Sequence, residues 1–219
     1  RVLRDALFSG PGSADLLLPR IGLGSLLPAP AERWLAEAGA TVKLSTRVVS
    51  LRSSGATWHV DGEAFERVVL ATPPGEAARL VQETAPTWAQ AAGGLRYEPI
   101  VTVYVSSPGT RLSEPMLALR EGPRSPAQFV FDRGQLGGPD GLLAVVISGA
   151  QAWVERGADA TLQATLDQAQ AALQGQLVSP MQPVKLITEK RATFRCLPAL
   201  QRPALHIAPG LHAAGDHVD

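Results

Sequence analysis

Two segments carry residue types suited to holding a large ligand at the edge of a sheet. In VVLATPP (residues 68–74) an apolar run ends in Ala71, Thr72, Pro73 and Pro74. In GLHAAGDHVD (residues 210–219) a run of small residues ends in Gly215 and Asp216. A strand that stops at Ala-Thr-Pro-Pro leaves backbone groups at the carboxyl edge of a sheet, where ligands of open α/β sheets bind. Ala213, Ala214 and Gly215 allow a planar ligand to approach the backbone. Asp216 is placed to accept a hydrogen bond from a sugar hydroxyl. One Gly-Asp turn is a weak signal; two such strand ends in one chain are a stronger one.

Other reactive residue types give less. Gly22 and Gly24 form only part of a dinucleotide loop: Leu27 stands at the third glycine position, so the stretch reads as an apolar turn. His206, His212 and His217 lie close in sequence, but Pro209 and Gly210 break any helix that would align them, which disfavours a metal site. His59 reads as an ordinary strand residue. Cys196 has no Cys-x-x-Cys partner and reads as a bystander thiol. Ser9, Ser13 and Ser25 lack a Gly-x-Ser-x-Gly elbow, so nothing marks a hydrolase nucleophile. Glu189, Lys190, Arg191 and Arg195 form a charged cluster on a predicted strand. It is either a solvated face or the polar edge of a cofactor or substrate site.

These residues need elements to hold them. Pro28 and Pro30 introduce a helix over 31–38, stopped by Gly39. Strands are expected at 41–44, 47–52, 57–60 and 67–71, with turns at 53–55 and 61–62. The run VVLA predicts a strand buried on both faces. A helix over 75–82 follows. Strands are then expected at 100–105, 116–119, 128–131 and 142–148, joined in one mainly antiparallel sheet. A helix over 159–174 should pack on that sheet, with Leu162, Leu166, Ala169 and Leu173 at helical spacing. One face of the sheet should turn toward the cofactor, under a long apolar pocket. A long strand over 185–195 comes next. The leucines between 16 and 27 are either core or a surface that meets a tunnel mouth or a lipid layer.

The chain has 219 residues, with 20 basic and 20 acidic side chains, 4 His and 1 Cys. Apolar residues make up 45%, enough for a packed core and against disorder. Zero net charge leaves no electrostatic footprint for nucleic acid. A single cysteine excludes an internal disulfide framework. No apolar run approaches the roughly 20 residues that span a bilayer. The expected class is a soluble cytoplasmic protein, and the start without Met suggests an origin inside a longer chain.

The two ligand-edge segments resemble the late Leu-Ala-Gly-Asp and mid-chain Val-Leu-Ala-Thr-Pro-Pro motifs of the flavin-dependent amine oxidase and phytoene desaturase superfamily. GATVKLSTRVVSL (39–51) resembles the stretch of that family that contacts the adenine of FAD, and Val48 matches the valine whose backbone pairs with the base. YEPIVTVYV (97–105), PMLAL (115–119), QFVFDRG (128–134), AVVIS (144–148) and EKRATFRCLPALQRP (189–203) are similar to the hydroxysqualene dehydroxylase, or squalene-associated FAD-dependent desaturase, family of hopanoid biosynthesis.

The resemblance implies a mixed α/β and α+β fold. A partial Rossmann-like FAD-binding domain would comprise 28–74 and 204–219. A substrate domain of 1–27 and 75–203 would hold a mainly antiparallel sheet flanked by helices. The implied cofactor is FAD, contacted by Val48, Ala71, Thr72, Pro73, Gly215 and Asp216. The implied reaction is reductive dehydroxylation of hydroxysqualene to squalene. The implied partner is a long apolar isoprenoid, met at the inner face of the membrane; oligomeric state is left open. Other superfamily substrates, namely a carotenoid, a porphyrinogen or an amine, remain alternatives, as does an inactive fragment. Tyr97, Glu98 and Asp132 are the candidate acids. The family's Gly-x-Gly-x-x-Gly loop and ribose-binding acid are not in this sequence, and the helix after the Gly-Asp motif lies beyond Asp219. The chain is therefore expected to be an internal fragment that binds FAD weakly or not at all on its own.

Overall fold

The computed structural model describes Arg4, Asp5 and residues 8–219. Residues 1–3, 6 and 7, part of the 1–27 assignment, lie outside the described residues. The chain forms two compact units. The first contains the chain up to Val42 together with Val101–Ile147 and Ala152–Ile187; the second contains Lys43–Ile100, Ser148–Gln151 and Thr188–Asp219.

Strand alternation builds the largest sheet, most of which belongs to the first unit. Strand β5 (Tyr97–Ser106) places Val101, Val103 and Val105 on one buried face. Successive side chains of a strand point to opposite faces, so these three share a layer. In register, Val101 pairs with Ile147, Val103 with Val145 and Val105 with Leu143 of β8 (Leu142–Ile147). Strand β7 (Phe129–Asp132) adds Val130 opposite Val145, and β6 (Met116–Ala118) pairs with β7. With β9 (Gln182–Phe194) the antiparallel pairs form one five-stranded sheet of order β6-β7-β8-β5-β9. The expected joining of these strands is observed.

The expected helix over 159–174 is also present, at Ala158–Leu173. Thr161, Thr165, Ala169 and Leu173 are its buried face. Gln168 fastens it to the chain entering β7: its Oε1 accepts from Ala127 N at 2.8 Å and its Nε2 donates to Ala127 O at 2.8 Å. The short helices Leu23–Leu26 and Pro28–Glu37 contain no buried residue. Leu17 is 96% exposed, and Leu16, Ile21, Leu23, Leu26 and Leu27 are also exposed. Leu18 is half-buried, and the other leucines of 16–27 are exposed rather than core. Gly22 caps the first of these helices.

The second unit has two small sheets. An antiparallel meander runs β1 (Leu51–Ser54), β2 (Thr57–Val60), β3 (Glu63–Phe65). The other sheet has the order β10-β11-β4, from His206–Ala208, Leu211–Ala213 and Val68–Leu70. Two proline-initiated helices, Pro74–Val81 (called α1 below) and Pro86–Gly93, complete the unit. Leu51, Trp58, Leu70, Ala77, Val81, Trp88, Leu211 and Ala213 share one core. Two indole N–H groups tie that core to the C-terminal segment: Trp58 Nε1 donates to Pro209 O at 3.0 Å and Trp88 Nε1 to Ala204 O at 2.7 Å.

Three local expectations are corrected. No strand forms at 41–44, and residues 47–50 lie outside any strand. Val69 is 61% exposed while Leu70 on the opposite face is buried, so β4 is covered on one face and not on both. The helix Pro86–Gly93 was not foreseen from its short apolar pattern. The fold class stands as expected: mixed α and β, with antiparallel sheets flanked by helices.

Candidate functional site

The two ligand-edge segments meet. Strands β4 and β11 are parallel neighbours, with Leu211 opposite Val68, His212 opposite Val69 and Ala213 opposite Leu70. Ala214 N donates to Leu70 O at 3.0 Å and continues the ladder by one step. Ala71, Thr72 and Pro73 therefore leave one strand beside Ala214, Gly215 and Asp216 leaving the other. Both ends lie at the same carboxyl edge, and Ala71, Pro73, Ala214, Gly215 and Asp216 are exposed there. Pro73 stands immediately before α1. Proline suits this helix start because its missing N–H would have no helical partner.

The turn after β11 is held from below. Arg202 Nη1 donates to Asp216 O at 3.2 Å, and Asp219 N donates to Pro203 O at 3.0 Å. Gly215 has φ of 151°, and a Cβ there would lie 2.7 Å from His217 Nδ1 and 2.8 Å from Cε1. Glycine is required so that the imidazole can tuck beneath the turn. His217 is consequently buried, and burial pulls its pKa below the ordinary value while the Asp216 carboxylate opposes the shift. The Asp216 side chain is 79% exposed, with its carboxylate turned to solvent.

Two polar atoms of this region lack partners. Thr72 Oγ1 and His217 Nε2 are buried and make no hydrogen bond; among the described residues no other buried side-chain nitrogen or oxygen is in this state. Buried polar atoms are satisfied in the great majority of cases, so each exception asks for a reason. The donor set at this edge fits a nucleotide cofactor such as FAD. It offers a free hydroxyl, an exposed carboxylate and small residues that let a ring system reach the backbone.

A cleft of about 430 Å³ opens beside this edge within the second unit. Pro73, Pro74, Tyr97, Arg191, Phe194 and Asp216 are among its walls, with Glu76 and Glu189. The charged cluster on β9 is thus split: Glu189 and Arg191 face the cleft, while Arg195 Nε pairs with Glu98 at 2.6 Å. The Arg191 guanidinium has no ion-pair partner among the described residues, and its Nη1 lies 3.8 Å from where a Cβ on Gly75 would stand. Burial raises the Tyr97 pKa, with Arg191 lowering and Asp216 raising it, so the phenol remains a proton donor at neutral pH.

The candidate acids separate clearly. Tyr97 lines the cleft. Glu98 is held by Arg195. Asp132 is buried in the first unit and accepts from Leu112 N at 3.0 Å, Gln135 N at 3.3 Å and Gln135 Nε2 at 2.9 Å. It serves that loop. Val48 lies in the stretch 47–50, away from the two strand ends in sequence and half-buried. His206 and His212 face each other across β10 and β11 with rings 5.2 Å apart. No group of three metal-holding side chains occurs among the described residues. Cys196 is free and exposed. No helix among the described residues is long and apolar enough to cross a membrane.

Sequence reasoning missed Asp61 and Arg79, which hold residues 47–50. Asp61–Gly62 was read only as turn chemistry. The signal available was the habit of turn aspartates to cap nearby backbone amides.

No protein-family model and no curated protein matches the chain. Solved structures do. A putative protoporphyrinogen oxidase from Exiguobacterium sp. superposes with a TM-score of 0.63 at 16% identity, over 91% of this chain and 47% of that one. An oxidoreductase from Methanosarcina mazei gives 0.56 at 13% identity, over 85% and 47%. A protein from Pyrococcus furiosus gives 0.59 at 9% identity, over 85% and 44%. The chain spans slightly under half the length of each of these structures. At such identities the likeness speaks for architecture: the chain has the fold of part of these proteins, two of which are described as oxidoreductases or oxidases.

Proposed function

We propose that this chain is part of an FAD-dependent oxidoreductase that replaces the hydroxyl of a long allylic alcohol, hydroxysqualene, by hydrogen to give squalene. The observation that carries the flavin part is the parallel pair β4 and β11, which brings Thr72 and Pro73 beside Gly215 and Asp216 at one carboxyl edge. Support for redox chemistry comes from two structural neighbours, one described as a putative protoporphyrinogen oxidase and the other as an oxidoreductase. Support for the substrate comes from the sequence resemblance at 97–105, 115–119, 128–134, 144–148 and 189–203.

When bound, FAD supplies the hydride chemistry. The chain's own residues bind, orient and hold protons. Asp216 accepts from a ribityl or ribose hydroxyl. Thr72 Oγ1 gains the partner it lacks. Pro73, Pro74 and Phe194 give the cleft apolar walls that exclude water. Tyr97 holds a proton on its hydroxyl beside Arg191, where a departing oxygen would need one. The exposed residues Leu16, Leu17, Ile21, Leu23, Leu26 and Leu27 suit contact with a lipid layer that delivers the substrate.

A second reading has its own observation. An unpaired Arg191 in the cleft suits a substrate that carries carboxylates, such as a porphyrinogen, and one neighbour is described as a putative protoporphyrinogen oxidase. Product analysis separates the two. Flavin-loaded protein with a reductant and hydroxysqualene should yield squalene. Oxidation of a porphyrinogen under air, with no squalene from the alcohol, would replace the first reading with the second.

A further inference from the structure

Six large apolar side chains between Leu16 and Leu27 are exposed, and so is Trp34 in the helix Pro28–Glu37. Exposed apolar residues gathered in one short stretch mark a surface that meets something else. The stretch is seated at a fixed place on the first unit. A Cβ on Gly137 would collide with the backbone oxygen of Arg20, and Gly137 has φ of 77°, so only glycine lets the chain pass this close. Beside this seat lies a groove of about 500 Å³. Leu16, Leu18, Pro115 and Leu136 give it apolar sides, and Arg20 and Arg111 enter it from separate stretches of the chain. No carboxylate among the described residues lines it. Neither guanidinium has a hydrogen-bond or ion-pair partner among the described residues. Asp132 and Asp140 line the hollow that shares Arg111, yet neither pairs with it. Asp132 is buried and committed to Leu112 N and Gln135.

Two free guanidinium groups between apolar walls select the chemistry of the occupant. A guanidinium presents paired N–H donors that match two oxygens of a phosphate. A second copy of the chain would bring the same two cations against these, and like charges repel. A soluble phosphate would leave the apolar walls and the exposed leucines wet. A phospholipid answers both halves, with a phosphate for the arginines and acyl chains for the leucines. Trp34 suits the same setting, because tryptophan favours the level of the headgroups. An anionic headgroup fits two cations better than a zwitterionic one, whose own ammonium would face them. We propose that the groove of Arg20 and Arg111 is a headgroup site for an anionic phospholipid, holding the leucine stretch against a membrane surface. The proposal rests on the lipid-contact reading above and adds to it a lipid class and the two residues that select it.

The test is co-sedimentation of the chain with phosphatidylcholine vesicles, plain or carrying about 30% phosphatidylglycerol. The chain should prefer the anionic vesicles by about twenty-fold, about five-fold for each arginine. Arg20→Gln and Arg111→Gln should each lose about five-fold on anionic vesicles and keep the weak binding to neutral ones. Arg33→Gln removes the same charge from the same stretch but outside the groove, and should cost less than about two-fold. Leu17→Ser should weaken binding to both kinds of vesicle. All four side chains are exposed, so the variants should fold, which thermal unfolding checks. Arginine variants that bind anionic vesicles as tightly as the parent chain, or an Arg33→Gln loss as large as theirs, would overturn the proposal. If both vesicles bind equally and only Leu17→Ser weakens them, the headgroup site fails and the lipid-contact reading survives. If neither vesicle binds, both fail, and self-association that Leu17→Ser disperses would give the surface to a second copy.

Discussion

Among the described residues, the buried side-chain polar atoms of the first unit all have partners, and two at the parallel edge of the second do not. Around β7, Asp132 accepts three hydrogen bonds, Gln168 binds Ala127 in both directions, and the Ser107 and Thr110 hydroxyls bond each other at 2.7 Å. At the ends of β4 and β11, Thr72 Oγ1 and His217 Nε2 are equally shielded and have nothing. Both regions are built from strands ending in loops. The first spends its polar groups on its own backbone, which makes it scaffold. The second keeps polar groups in reserve, which is what a binding edge needs, because an unmet buried group is worth more to a ligand than one already paired.

The largest expected effect breaks the finished side. Asp132→Ala strands the Leu112 and Gln135 donors and should cost about 3 kcal/mol in urea unfolding, with loss of the surrounding loop. A change within experimental error would show that these bonds do not hold the first unit together.

On the other side, Asp216→Ala should leave stability unchanged, since the carboxylate is exposed. In the flavin-loaded protein it should weaken FAD affinity by about 1.5–3 kcal/mol, roughly ten- to hundred-fold. Unaltered flavin retention would remove Asp216 from the site.

Thr72→Val sharpens the contrast, because its two effects have opposite signs. Without ligand the swap removes an unpaired buried hydroxyl and should be neutral or stabilising by up to about 1 kcal/mol. With FAD it should weaken binding. Destabilisation of the free chain would mean that the hydroxyl already has a partner.

The smallest effect is a pH dependence. The folded pKa of His217 is lowered by burial, so the unfolded state binds the proton more readily. Stability is complete above the ordinary value of 6.5 and is lost as pH falls through it toward the folded pKa. His217→Gln should flatten that fall in a thermal-unfolding series. A wild-type curve that rises on acidification would reverse the assignment.

Much of the scaffold was legible because its signals are local. The alternation in β5, the apolar run of β8, the 3–4 spacing of Leu162, Leu166, Ala169 and Leu173, and the turn residues around Thr57–Val60 each name their own element. The two strand ends were legible as motifs, although their adjacency depends on the β4–β11 pairing, which no local pattern encodes. Residues 47–50 look like a strand, but their partners are side chains of Asp61 and Arg79, remote in sequence. His217 was grouped with two other histidines as a doubtful metal ligand. Its burial follows from Gly215, whose missing Cβ makes room for the ring, and only the folded turn reveals that.

The central claim is that the carboxyl edge of β4 and β11 receives the flavin nucleotide. The most direct measurement is a titration of the labelled chain with FAD, followed at the amides of Thr72, Gly215 and Asp216. Weak but saturable shifts confined to those residues and their cleft neighbours Tyr97 and Arg191 are predicted. Silence at the edge, with saturable shifts elsewhere or none at all, would contradict the claim.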